Sequence, residues 1–409
     1  MPAVSGAVCS QGLPATLRPA EASIIWGAIH PPLSAVADQR GGPAWSVTAY
    51  ERQRTMKTGL SLTQLAQELE RQATTKRDFL APERQLQVEV VEADTPTVHL
   101  VVGAVGRFPL TPYAHGQVGE HLGIPKAYYE RLLQQAPDLL ATNVNHWLHA
   151  SAARRLLRTL DSAVRAYLSH RYRPLDHQDL AEAVLPVLLE DPQLEVASCE
   201  ITATRLYLKV TTARLTAEVR KGDIVQAGLV ISNSEVGAGS VRVEPLLYRL
   251  ACLNGAIIND LALKKYHVGR ANGHGEDAIQ AFLRDETKAL NDRAFWATVQ
   301  DVVRGTLQEV TFAQIVARWR ETTQEMIAGD PAQVVEVTAK RLGLTEPERG
   351  SVLRHLVEGG DLSRYGLANA LTRASQDVDD YDRATDLERL GGQLIELPRQ
   401  AWQTLATAT

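Results

Sequence analysis

The chain has 409 residues, 44% hydrophobic and 22% charged, with a formal net charge of -5. That size supports a large buried core or several domains, and that charge excludes a globally basic nucleic-acid coat, though not a local basic face. Aromatic residues are only 5% of the chain, so the core is expected to be built from Leu, Val, Ile and Ala.

Residues 1–55 are rich in Ala, Pro and Gly and show no sustained period. They read as a disordered leader or a misplaced start; the competing reading docks Ile24, Ile25 and Trp26 on the body. After Met56 a helix is expected, with Leu60, Leu62, Leu65 and Leu69 on one face and Ser61 as its cap. Leu86, Val88 and Val90, then Val98, Leu100 and Val102, alternate on either side of Asp94-Thr95-Pro96, which predicts a hairpin. Helical segments follow from Pro112 to Leu122 and after Ile124-Pro125, the second carrying Tyr128, Tyr129, Leu132 and Leu133. This aromatic group reads as core packing or as a partner-binding patch.

Asn143 to Leu157 reads as a helix ending in Arg154-Arg155, and Leu160 to Ser169 as strands turning at Asp161-Ser162. Asp176 is expected to cap a helix from Gln178 to Leu189, kinked or shortened by Pro186. From Leu194 to Val243 the pattern is strand-like, with a turn at Lys221-Gly222-Asp223 and a doubly buried apolar strand from Ile224 to Ile231. The stretch from Gly228 to Ile258 is expected to run strand, glycine turn at Gly237-Ala238-Gly239, strand, then a helix over Leu246 to Leu253 once Pro245 stops the ladder. Helices are then expected over Glu276 to Val303, Thr311 to Ala328, Ala332 to Leu342, Pro347 to Val357 and Ser363 to Gln376. An acidic string (Asp377, Asp379, Asp380, Asp382, Asp386) and a last segment from Leu387 to Leu397 follow.

These elements predict an α+β fold: a central antiparallel sheet backed by helices, followed by a mostly helical C-terminal half. The divisions expected are 1–55, 56–150 (helix, hairpin and helices), 151–270 (central antiparallel core) and 271–409 (helical region).

Standard chemistry motifs are missing. There is no phosphate loop, no His-Glu-x-x-His and no Gly-x-Ser-x-Gly, and Gly237-Ala238-Gly239 lacks the third glycine of a dinucleotide fingerprint. The three cysteines, Cys9, Cys199 and Cys252, form no Cys-x-x-Cys, so neither a cysteine zinc knuckle nor a disulfide framework is expected. No cofactor or metal site is expected either: His267, His274, Glu276 and Asp277 match no standard ligand spacing, and Asp377 to Asp382 reads as a solvated charge run beside Arg373 and Arg383. No apolar run is long enough for a membrane helix and no signal peptide is seen, so the expected location is cytoplasmic, away from membranes.

The positive signal is basic and aromatic. Arg154, Arg155, Arg158, Arg165, Arg171 and Arg173 crowd one stretch opposed by Asp161 alone. If Val164, Ala166 and Leu168 point inward, Arg165 and Tyr167 share the other face, followed by Arg171, Tyr172 and Arg173. Likewise Leu206, Leu208 and Val210 leave Arg205, Tyr207 and Lys209 together. Arginines neutralise phosphates and tyrosines stack on unpaired bases, so these residues are the candidate nucleic-acid contacts. The bland alternative is that the tyrosines pack under a helix or the pairs form a protein interface.

Four stretches carry a family resemblance: 108–133 (FPLTPYAHGQVGEHLGIPKAYYERLL), 158–188 (RTLDSAVRAYLSHRYRPLDHQDLAEAVLPVL), 231–257 (ISNSEVGAGSVRVEPLLYRLACLNGAI) and 363–392 (SRYGLANALTRASQDVDDYDRATDLERLGG). In these the chain resembles the bacterial phage/plasmid-like proteins grouped as "domain of unknown function 932". The resemblance spans nearly everything after Met56 and brings no catalytic residues. It implies a mobile-element setting, and with it DNA replication, recombination or element maintenance. The expectation is therefore a non-enzymatic protein that binds single-stranded DNA, as a homo-oligomer in the manner of strand-annealing proteins. The alternatives are a metal-dependent nuclease using Asp176, Asp179, Glu235, His267 and Glu276, and a module that engages a host protein.

Overall fold

The cap expected at Ser61 forms, and as a capping box: its hydroxyl accepts from the Gln64 N–H at 3.2 Å, and the Gln64 side chain accepts from the Ser61 N–H at 2.8 Å. The helix that it opens, α1 (Leu62–Thr75), buries Leu65 and Leu69. The computed structural model describes residues 59–92, 96–258 and 285–408. These residues fall within one compact unit, Glu51–Thr409. The readings of 1–55 and of the His267–Asp277 loop lie outside the described residues.

Strand β1 (Arg77–Pro82) is followed by β2 (Leu86–Val91), β3 (Thr97–Val102) and β4 (Gly106–Pro109), the last three forming a small antiparallel sheet. The expected hairpin is β2–β3, with Leu86 opposite Val102 and Val88 opposite Leu100. Helices α2 (Pro112–His121), α3 (Lys126–Gln135) and α4 (Pro137–Ala150) cover it. Asn145 of α4 fastens that cover by accepting from the Val88 N–H at 2.6 Å and donating to its carbonyl at 2.8 Å. Tyr129 and Leu132 are buried, while Tyr128 is exposed.

The helix expected over Asn143 to Leu157 ends at Ala150, and Arg154 opens a strand. This strand, β5 (Arg154–Leu160), lies between β1 and β6 (Ala163–Ser169) in a second antiparallel sheet. Leu156 and Leu157 belong to different apolar clusters. Adjacent leucines that serve two covered faces carry no period of two, which is why the run looked helical. Asp161 (φ 51°) and Ser162 (φ 63°) make the expected turn, both left-handed as a two-residue hairpin loop requires. This sheet shares its core with β2–β3 and α2–α4, so no packing boundary falls at residue 150.

Helix α5 (His177–Leu188) ends two residues after Pro186. Then comes the main sheet, an antiparallel meander of β7 (Leu194–Ile201), β8 (Leu206–Arg220), β9 (Asp223–Asn233), β10 (Arg242–Arg249) and β11 (Asn254–Ile257), in the order β11-β10-β9-β8-β7. The helix expected over Leu246 to Leu253 does not form: β10 runs straight through Pro245, which pairs with Leu229. The Pro245 carbonyl accepts from the Ile258 N–H at 2.9 Å, so the donor that proline lacks would face the Ile258 carbonyl just past β11, and only that terminal bond is forgone. Leu246 and Leu247 again serve opposite faces, one packing with Tyr207, Val230 and Tyr381, the other with the C-terminal helices.

The C-terminal half is helical: α6 (Asp285–Thr306), α7 (Glu309–Thr322), α8 (Pro331–Leu342), α9 (Glu346–Gly359), α10 (Arg364–Ala374), α11 (Tyr381–Glu396) and α12 (Arg399–Ala406). The second of these stops at Thr322, short of the expected Ala328. Gly343 (φ 66°) and Gly360 (φ 63°) close α8 and α9 in the left-handed conformation. The acidic string is structural in part: Asp380 caps α11 through the Arg383 N–H at 2.7 Å, and Asp377 accepts from Arg354 at 2.6 Å and meets His355 at 2.8 Å. At Gly392, α11 lies so close to the β11 edge that a Cβ would sit 1.9 Å from the Ile257 carbonyl oxygen. Glycine there lets a helix cover a sheet edge that would otherwise be open to another strand. The fold is thus α+β, an antiparallel sheet with a helical C-terminal half. No helix among the described residues is long and apolar enough to cross a membrane.

Candidate nucleic-acid interface

The face expected to carry Arg165 and Tyr167 does not exist as a face. In the β5–β6 ladder Arg158 pairs with Ala166 and Thr159 with Val164, so Arg165 is the extra residue of a β-bulge. A bulge shifts the side-chain phase by one. Val164 and Tyr167 therefore fall in one core, Ala166 and Leu168 in another, and Arg165 is turned inward.

Arg165 reaches a buried carboxylate, Glu235, which is 1% exposed. Glu235 also accepts from the Lys76 ammonium at 2.8 Å and from the His177 backbone N–H at 2.6 Å. Its own carbonyl accepts from Arg158 at 3.1 Å. Arg158, itself 1% exposed, bonds Asp78 at 3.0 Å and Asp176 at 2.7 Å. Asp176 thus precedes α5 without capping it, its carboxylate being turned to Arg158. Burial pushes the Glu235 carboxyl up, but the surrounding positive charge outweighs it and holds the group well below the usual carboxylate range. The Ser-Asn-Ser-Glu cluster at the end of β9 is therefore the hub that ties α1, β5, β6 and α5 together. Asn233 donates to the Leu175 carbonyl at 2.8 Å, and the Tyr172 hydroxyl donates to the Ser234 carbonyl at 3.1 Å.

Two histidines add an acid-sensitive element. Burial pulls both His177 and His115 down to about 4. An unfolded histidine takes its proton near pH 6.5, so between that pH and 4 the unfolded chain binds protons that the folded one refuses. This contribution is complete above pH 6.5 and is lost as the pH falls toward 4, by about 1.4 kcal/mol per pH unit for each histidine. Urea unfolding at pH 7 and pH 5 checks this: the midpoint should drop at pH 5, and an unchanged midpoint would refute it.

The second strand pair is also enclosed. Tyr207 and Lys209 are each 1% exposed. Helix α11 covers them: the Tyr207 and Tyr381 ring centroids are 5.4 Å apart, and the Lys209 ammonium lies 2.5 Å from the Glu388 carboxylate. Tyr167 is 3% exposed, with the Arg155 guanidinium 5.3 Å from its ring centroid and the His121 ring beside it. Arg205 is half-buried and donates to the Ala238 carbonyl. The open Arg-x-Tyr face is thus corrected: alternation tells which side chains share a side, and says nothing of a second layer above them.

Of the candidate residues, Arg171 and Arg173 stay at the surface, Arg173 paired with Asp292, and Tyr172 is half-buried. Arg171 belongs to a group that sequence spacing did not assemble. Pro82 pairs with Arg154, and Arg155 with Ser169, so Arg84, Arg154, His170 and Arg171 gather at one end of the three-stranded sheet. All four are exposed, and neither Arg84 nor Arg154 has a carboxylate partner among the described residues. The nearby Glu83 is fully buried and already holds Arg155 at 2.5 Å and His121 at 2.8 Å. Helix α4 packs on the short turn Glu83–Gln85 that carries Arg84, and its last turns bear the exposed indole of Trp147.

No family model, curated protein or solved structure matches the chain.

Among the described residues the nuclease candidates form no catalytic group. Asp176 and Glu235 do converge, but on Lys76, which lies 3.3 Å from one and 2.8 Å from the other. Asp179 is exposed on the first turn of α5, and His267 and Glu276 lie outside the described residues. Among the described residues no group of three or more His, Cys, Asp or Glu could hold a metal ion.

Proposed function

We propose that this chain is a non-enzymatic nucleic-acid-binding protein of phage- or plasmid-type mobile elements, acting in DNA recombination or replication. It contacts single-stranded DNA through the basic rim of Arg84, Arg154, His170 and Arg171, and not through a sheet face. The observation that carries this reading is the gathering of exposed arginines at one sheet end while the neighbouring acid is buried and paired. The Arg84 and Arg154 guanidinium groups, exposed and without a carboxylate partner among the described residues, are available to phosphates. Trp147 adds an exposed ring on which a base can stack. The mobile-element setting rests on the resemblance read in the sequence alone, and a homo-oligomer would align several rims along one strand.

The class of activity is tested by fluorescence anisotropy with a labelled oligo-dT strand over a range of salt. Binding should weaken steeply as salt rises, with log K falling by about 0.7 per tenfold salt for each phosphate neutralised. Absence of salt-dependent binding would remove the reading.

A further inference from the structure

The arginine rim continues onto helix α4, whose last turns carry His146, Trp147 and His149, all exposed. The chain leaves the helix at Ser151 and runs directly to Arg154, and the Glu83 N–H donates to the Ala153 carbonyl at 2.9 Å. That bond fixes the turn bearing Arg84 against the same stretch, while His170 and Arg171 arrive from the end of β6. The Trp147 indole N–H donates to Asn143 at 3.1 Å, and the His146 ring meets the indole edge-on with centroids 5.0 Å apart.

The charge on these segments is one-sided. No Asp or Glu occurs in 142–155 or in 169–175, and the acid of the turn, Glu83, is fully buried. The elements packed around them change this little. Glu89 of β2 is held by Arg107 at 2.8 Å, α3 brings Lys126, Glu130 and Arg131, and α2 brings the exposed Glu120. In β5, Arg155 is engaged by Glu83 and Arg158 by Asp78 and Asp176. Burial holds the neighbouring His99, His115 and His121 below the usual histidine range, helped at His99 by Arg107 and at His121 by Arg155.

We propose, on the strength of the rim reading, that the nucleic-acid interface extends along the last turns of α4, and that His146, His149 and His170 are its titratable members, so that the strand binds more tightly in mild acid. Histidine is the side chain whose charge changes between about pH 8 and 5, and a ring that gains a proton offers a phosphate a cationic N–H. A narrow arginine rim thereby becomes a wider cationic surface around the Trp147 ring.

The test is fluorescence anisotropy with labelled oligo-dT, run as salt titrations at pH 8 and pH 6 on the full chain and on a variant combining His146→Gln, His149→Gln and His170→Gln. Wild type should bind about tenfold more tightly at pH 6 in about 0.1 M salt, with a salt slope steeper by about 1 to 2, since each recruited phosphate adds about 0.7. Whatever its affinity at pH 8, the variant should lose most of that gain. The three rings are exposed, so their replacement leaves the core intact. Salt-dependent binding at pH 8 with no gain at pH 6 overturns the extension and leaves the rim standing, and so does an equal gain in the variant. Absence of salt-dependent binding at either pH overturns both.

Discussion

Replacing Glu235 with alanine should destabilise the fold by about 3–5 kcal/mol, the loss expected when one partner of a buried ion pair is removed. The carboxylate is 1% exposed and stands between Arg165 and Lys76, with the His177 N–H on the same oxygen as the lysine. Without it Arg165 faces a dry interior with no counter-charge, Lys76 keeps only Asp176 at 3.3 Å, and the start of α5 loses its tether to the segment after β9. Glu235→Gln should recover part of the loss, because the amide can still accept the His177 N–H. Urea unfolding at pH 7 measures both variants. A loss below about 1 kcal/mol for the alanine variant would place Glu235 among exposed pairs of little consequence and contradict its role as a hub.

Lys209→Ala and Glu388→Ala should each cost about 3–5 kcal/mol for the same reason. Lys209 is 1% exposed and Glu388 3%, and the lysine ammonium also lies 4.8 Å from the Tyr381 ring centroid. Each single variant leaves a charge sealed between β8 and α11. Removing both charges at once, as Lys209→Met with Glu388→Leu, should cost much less than the two single losses added, since apolar groups of similar size can replace a buried pair. Denaturant midpoints for the two singles and the double complete the cycle. Additive losses would show that the two residues do not act as a pair.

Much of the scaffold is legible in the sequence. Ser61 as a cap, Asp161 with Ser162, and the alternating residues of β2 and β3 are local signals whose physics does not depend on distant contacts. The errors share one cause, a second packing layer. Leu156-Leu157 and Leu246-Leu247 are adjacent apolar pairs on strands covered from both sides, so their spacing imitates a helix. Pro245 looks like a stop because its missing donor is a local feature, whereas the end of β11 opposite it is a distant one.

The candidate site was less legible. A bulge at Arg165 changes the side of every later residue in β6, and nothing in a seven-residue strand announces it. Tyr207 and Lys209 were correctly placed on one side of β8, yet the helix that covers them begins at Tyr381, far along the chain. Arg84 had no signal of its own. It joins Arg154 and Arg171 only through the pairing of β1 with β5 and of β5 with β6. The Ser-Asn-Ser-Glu cluster did stand out in the sequence, and its polarity is explained by the network it closes.

The measurement that bears most directly on the account compares two variants in one oligo-dT salt titration. One carries Arg84→Ala, Arg154→Ala and Arg171→Ala at the rim; the other is the core double Lys209→Met with Glu388→Leu. The rim variant should bind more weakly and lower the salt slope by about 2, roughly 0.7 per lost phosphate contact, while the core double keeps the wild-type slope. An unchanged slope in the rim variant, or a loss confined to the folded core double, would contradict the placement of the interface.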